Sequence, residues 1–193
     1  RLTVTLYRLL GRGLPVSREQ LGAACGCSRE RIDQLLGEIL PTSLEWDASG
    51  EVVAFGGLSL LPTKHRFVVG ETAFHTWCVL DALFLPEILG KSAMLVTNCP
   101  ASGAELRVEL APGEMRTAEP SGAVMSIMAP DHKACCDNLR RAFCDKVNLF
   151  RDSDTFIAWS RGREDMVSLP LSEAQLFARQ RNASRYPDVK LGA

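Results

Sequence analysis

Apolar residues recur at helical spacing from Leu2 to Leu10, and Gly11 to Gly13 close that segment, which predicts a first helix. A second, short helix is expected after Ser17, because Ser17 can cap it and Gln20 completes a capping-box pattern three residues on. Ser28 caps a third. In that segment Ile32, Leu35, Leu36 and Ile39 form an apolar stripe, and Pro41 ends it. Two extended runs, Leu44–Asp47 and Glu51–Phe55, flank an Ala48-Ser49-Gly50 turn and predict a hairpin. Three helices followed by a β-ribbon is the layout of a winged helix-turn-helix.

Beyond the Gly56-Gly57 pair and an extended stretch to Val69, the run Glu71–Leu85 reads as a mostly buried helix stopped near Pro86. Strands are expected at Ala93–Thr97, Glu105–Leu110 and Val124–Met128, with Asn98–Gly103 as a turn between the first two. The remainder alternates: helix Asp131–Phe143, strand Lys146–Phe150, helix Ser153–Ser160, strand Met166–Leu169 and helix Ser172–Ser184. The expected fold class is α+β: an N-terminal winged helix-turn-helix-like three-helix domain over 1–60, then a mixed β-sheet core flanked by helices over 61–193.

Composition narrows the function without naming it. The 193 residues are 46% hydrophobic and 23% charged, ordinary for a globular chain, with no apolar run near the roughly 20 residues that span a bilayer. A formal net charge of −1 supplies no broad positive field for a phosphate backbone, so neither nucleic acid nor membrane is an expected partner. Nothing at the start resembles a signal peptide, and a cytoplasmic location is expected. The numbering begins at Arg1 rather than methionine, so that argument covers only the residues given. Seven cysteines, an odd number, fit free thiols, metal chemistry or catalysis better than a disulfide framework.

The chemistry-bearing candidates are few. In Trp77-Cys78-Val79-Leu80-Asp81 a thiol and a carboxyl stand three apart, which on a helix makes them neighbours on one face. Apolar surroundings would raise the Asp81 pKa and keep a proton available near neutrality. On spacing alone, a packed core thiol and an ordinary hydrogen-bonded carboxylate remain the plainer account. Cys144 ends a helical pattern just before a strand, and Arg140 and Arg141 would lower its pKa if aimed at it; taken alone, a buried structural cysteine is the plainer account of the position. Cys99 lies in a turn, where a packed thiol supporting the loop is expected. Cys25/Cys27 and Cys135/Cys136 lack the C-x-x-C spacing of a zinc site, and His65, His75 and His132 lack metal-ligand spacing. There is neither a phosphate-binding glycine loop nor a G-x-S-x-G elbow.

Three segments together resemble the organomercurial lyase (alkylmercury lyase) family. They are Phe74–Pro86 with its W-C-x-L-D-x-L-x-x-P pattern, Asn98–Gly103, and Arg141–Phe150 with its F-C-x-x-V-x-x-F pattern. The resemblance covers nearly the whole chain. It implies that Cys78 and Cys144 hold mercury, that Asp81 is the catalytic acid and also a mercury neighbour, and that Cys99 is structural. Ser102 stands where threonine is familiar, and Asp145 where some members carry a second cysteine. The implied reaction is protonolysis of a carbon–mercury bond, giving a hydrocarbon and mercury(II) for detoxification. The resemblance further implies alkyl- and arylmercury substrates, no required cofactor, external low-molecular-weight thiols for product release, mercuric reductase as the acceptor, and a monomer or homodimer. Two rivals are weighed beside it. One is a winged-helix, metal-responsive transcription regulator. The other is a relative that binds soft metals such as copper or an organotin without turnover.

Overall fold

The computed structural model describes residues 2–192; positions 1 and 193, the outer limits of the two expected domains, lie outside the described residues. The N-terminal helices form where the capping chemistry predicts. Helix α1 (Leu2–Leu10) buries Val4, Leu6, Tyr7 and Leu10. Helix α2 (Arg18–Cys25) begins with the reciprocal Ser17/Gln20 box, and α3 (Arg29–Gly37) begins where Ser28 accepts the Arg31 N–H at 3.3 Å. A 3-10 turn at Pro41–Ser43 leads into the hairpin of β1 (Leu44–Trp46) and β2 (Val52–Phe55).

This ribbon does not stand apart. With β3 (Leu58–Ser59), β4 (His65–Val69), β5 (Thr72–Thr76), β6 (Ala93–Asn98), β7 (Glu105–Ala111) and β8 (Glu114–Glu119) it forms one eight-stranded sheet, ordered β1-β2-β3-β5-β4-β6-β7-β8. A second sheet has β9 (Val124–Ile127) between β10 (Leu149–Phe150) and β11 (Val167–Pro170). Every strand pair among the described residues is antiparallel, which corrects the expected mixed sheet. Short turns join most neighbours, and short turns can only reverse a strand. The longer crossover from β5 to β6 lands beside β4, which is antiparallel to both.

The segment read as helix Glu71–Leu85 is also corrected. Gly70, at φ +59°, turns the chain back so that β5 pairs with β4 and Phe74 lies opposite Phe67. Helix α4 starts only at Val79 and continues through Pro86 to Leu89. Proline removes a helical donor, so a stop was expected there. Instead, helix α7 (Leu171–Arg185) brings side-chain amides to the carbonyls just before it: Gln175 Nε2 donates to Leu83 O at 3.4 Å and Asn182 Nδ2 to Phe84 O at 3.0 Å. Helix α4 is buried on nearly every side, from Val79 through Pro86 and again at Ile88, and forms the centre of the fold.

The remaining elements are α5 (His132–Ala142), a 3-10 turn at Cys144–Lys146 and α6 (Ser153–Ser160). The turn occupies the start of the expected Lys146–Phe150 strand, of which only Leu149–Phe150 is paired as a strand. Strand β8 was not foreseen, because Glu114, Arg116 and Glu119 give it the polar character of a sheet edge. One continuous hydrophobic cluster runs from Val4 in α1 to Tyr186 after α7. No helix among the described residues is long and apolar enough to cross a membrane.

Candidate active site

Cys78 is not inside a helix, as its spacing suggested. It is the extended residue (φ −149°, ψ 175°) that precedes α4, and Asp81 is the third residue of that helix. The Asp81 carboxylate reaches back and accepts the Cys78 backbone N–H at 2.8 Å, as an acidic residue does in a capping box. The three-residue spacing therefore brings thiol and carboxyl together through helix initiation. Cys144 arrives from far along the chain, at the start of the 3-10 turn after α5. A backbone bond from Val79 N–H to Val147 O, 3.4 Å, ties that segment to the start of α4.

The ligand atoms of Cys78, Asp81 and Cys144 all lie within 4.8 Å of one another, and all three residues are buried. Among the described residues no other group of three or more His, Cys, Asp or Glu side chains converges this closely. Burial pushes the Cys78 thiol well above its ordinary range, and the neighbouring Cys144 and Asp81 add to that effect. Burial also raises Asp81, to about 6, against the opposing pull of the Cys78 hydrogen bonds and the Arg181 and Arg140 charges. Arg140 is engaged elsewhere, pairing with Glu45 at 2.6 Å.

A raised carboxyl pKa has a stability signature of definite sign. The neutral acid is favoured in the folded state, so the contribution of Asp81 is fully present below pH about 4 and is lost as pH rises through about 6. Asp81→Asn removes that loss. The variant should be more stable than wild type by about 3 kcal/mol at pH 7.5, with the difference vanishing near pH 4. Denaturant titrations of both proteins at the two pH values check this; equal stability at pH 7.5 would contradict it.

Of the Gly56-Gly57 pair, Gly57 fixes the carboxyl. Gly57 has φ +101°, and a Cβ built there would fall 2.2 Å from Asp81 Cγ. Its carbonyl accepts the Trp77 N–H at 3.0 Å, and the neighbouring Gly56 carbonyl accepts the Tyr7 hydroxyl at 2.8 Å. Only a residue without a side chain can sit against Asp81 at that backbone angle. Gly57→Ala is expected to destabilise the fold by about 1–3 kcal/mol through backbone strain. By displacing Asp81 it should also slow the reaction about 10²-fold. Thermal midpoint and turnover measured together check it, and wild-type turnover would refute the positioning role.

Asp81 and Cys144 line a cavity of about 450 Å³ whose walls include Phe55, Leu80, Phe84, Leu139 and Phe143. Arg181, stacked 3.6 Å over the Phe84 ring, also lines it, as does Cys135. Cys135 had been set aside as half of a weak pair, since spacing alone gave it no partner. Cys99 lies outside the converging group, in its turn, where its N–H donates to Ala104 O and its carbonyl accepts from Gly103 N–H, both at 2.8 Å. Burial tends to raise its thiol pKa, but hydrogen bonds from Ser102 and from the backbone of Arg151 and Ala101 outweigh it and the net shift is downward. The Cys27 thiol donates to the Cys25 carbonyl, at 3.6 Å. His65 is buried against Thr97 and held neutral, with its pKa lowered to about 3 by burial. On the opening helices, Arg18 pairs with Asp33 and Arg29 with Glu19, which offsets their charge.

A buried dithiol with an adjacent protonatable carboxyl, beside a cavity walled largely by apolar side chains, defines a site for a soft metal that carries its own proton donor. The comparisons with known proteins agree with that class. The family model for alkylmercury lyase matches residues 58–181. An alkylmercury lyase of Staphylococcus epidermidis is 34% identical over 95% of this chain and 82% of its own length. One from Pseudomonas putida is 35% identical over 90% and 79%. The chain belongs to the alkylmercury lyase family and is an enzyme of that class. The crystal structure of the mercury-bound form of MerB2 shares the fold, with a TM-score of 0.77 at 16% identity, over 92% of this chain and 87% of that one.

Proposed function

We propose that this site cleaves carbon–mercury bonds by protonolysis, with Cys78 and Cys144 as the mercury ligands and Asp81 as the proton carrier. The observation that carries the reading is the convergence of two sulfurs and a carboxyl within 4.8 Å in a buried pocket. Two thiolates at about 2.3–2.4 Å from one metal ion, the length of other metal–thiolate bonds, bridge such a gap. Mercury(II) is soft, and thiolates donate enough electron density to make the attached carbon basic.

Each sulfur gives up its proton as it binds the organomercurial. Asp81, with its pKa near 6, accepts one of these protons and passes it to the carbon, while the other leaves with the ligand displaced from mercury. The electron pair of the carbon–mercury bond becomes the new carbon–hydrogen bond, the hydrocarbon leaves, and mercury(II) stays on the two sulfurs. No oxidation state changes, so the reaction requires no redox cofactor. External low-molecular-weight thiols, with mercuric reductase downstream, then take the product. The apolar walls suit both alkyl and aryl groups. Cys99, tied into its turn, has a structural role. The three helices and ribbon within 1–60 form a winged-helix-like unit joined to a catalytic region over 61–193. The setting is cytoplasmic, and the working form is a monomer or homodimer.

The experiment is to supply methylmercury with excess small thiol and to measure methane in the headspace. Catalytic methane formation is expected. Mercury uptake without methane would instead mark a soft-metal trap, because a trap has no use for a proton donor.

A further inference from the structure

The cleavage chemistry leaves one cavity thiol unused. Cys135 lines the same cavity as Asp81 and Cys144 and is half-buried, whereas the next residue, Cys136, is exposed. Adjacent helical side chains diverge by about 100°, so these two thiols serve different faces of α5, one the cavity and the other solvent. Helix α5 is a loose wall: none of its residues is buried, and Asn138 interrupts it at φ −160°, ψ 96°. Its ties to the N-terminal part are the Thr42 hydroxyl donating to Cys135 O at 3.2 Å and the Arg140–Glu45 pair.

Product release poses a problem of access. Cys78 has no exposed surface and Cys144 has 3%, so mercury(II) left on them is poorly reached by a thiol from outside. Thiol exchange needs the incoming sulfur to approach directly, and access limits its rate. Cys135, half-buried on the cavity that Cys144 also lines, is the more accessible thiol.

Building on the carbon–mercury cleavage reading, we infer that Cys135 is an exit thiol that draws mercury(II) off the Cys144 sulfur and presents it to external thiols. In the first exchange the Cys135 sulfur bonds to mercury, the mercury–Cys144 bond breaks, and the Cys135 proton passes to the Cys144 sulfur. Mercury(II) is then shared by Cys78 and Cys135. Two external thiols next bond to mercury and return their protons to those two sulfurs, leaving a mercury dithiolate free in solution. No electrons change hands. An ordinary cysteine thiol carries its proton at neutral pH, which supplies the proton the first exchange needs.

The test starts from intact protein loaded by a single turnover of substoichiometric methylmercury, with methane per chain recorded. Glutathione is then added in excess, and mercury that separates from the protein on rapid desalting at successive times gives the release rate. Cys135→Ser should release mercury about tenfold more slowly per mercury loaded, while Cys136→Ser releases at the wild-type rate. Mere loosening of α5 would speed release, so a slowdown has the opposite sign to a packing defect. Wild-type release from Cys135→Ser, or equal slowing in both variants, would overturn the inference. Failure of the wild type to form methane during loading would instead overturn the cleavage reading on which it rests.

Discussion

Cys78→Ala and Cys144→Ala are each expected to release no hydrocarbon above the protein-free background, although each variant should still fold. The reason lies in coordination. A single thiolate binds an organomercurial but leaves its carbon too weakly basic to accept a proton, and the second sulfur, within 4.8 Å, completes the activation. Truncating a small buried side chain costs stability but leaves the large hydrophobic cluster in place. Both variants should therefore keep a cooperative thermal transition, and Cys144→Ala should still take up one organomercury group at Cys78. Headspace hydrocarbon and mercury stoichiometry, measured on the same samples, distinguish loss of binding from loss of cleavage. Wild-type turnover by either variant would mean that the metal is not activated by two sulfurs.

Asp81→Asn is expected to cut hydrocarbon release by at least ~10², the lower end for loss of a general acid. An amide can still accept the Cys78 backbone N–H, so the start of α4 and the placement of both sulfurs should survive. What the amide cannot do is take a proton from a thiol and return it to carbon. Mercury binding should thus remain intact while cleavage fails, in a protein that is more stable at neutral pH than wild type. Gain of stability with loss of activity is the mark of a group held in an unfavourable environment for its chemistry. Turnover within a factor of a few of wild type would assign the proton to another group.

Local signals in the sequence carried much of this. The caps at Ser17 and Ser28 and the turn at Ala48–Gly50 were legible because each depends on neighbouring residues only. The Cys78/Asp81 pair was legible as a spacing, yet its setting was not. Phe74 to Leu85 is apolar apart from His75, Thr76 and Asp81, and a buried strand followed by a buried helix looks the same as one longer helix. The boundary depends on pairing with β4, and the part of α4 before Pro86 is held by amides from α7; both are tertiary. Cys144 reaches the site through the path of α5 and the 3-10 turn, which no local pattern encodes, and only the family resemblance joined it to the other two. The Gly56-Gly57 pair was visible as a break, but its pressure on Asp81 was not. Cys135 was dismissed on spacing and regained importance from the cavity it lines.

The central claim is that this chain's own two sulfurs and one carboxyl suffice to break the bond, with external thiols needed only afterwards. The direct measurement is a single turnover without added thiol. Half an equivalent of methylmercury is mixed with reduced, desalted protein, and methane and protein-bound mercury are quantified. One methane per methylmercury, with all the mercury(II) retained on the protein, is the predicted result. Methane that forms only after external thiol is added would contradict the account.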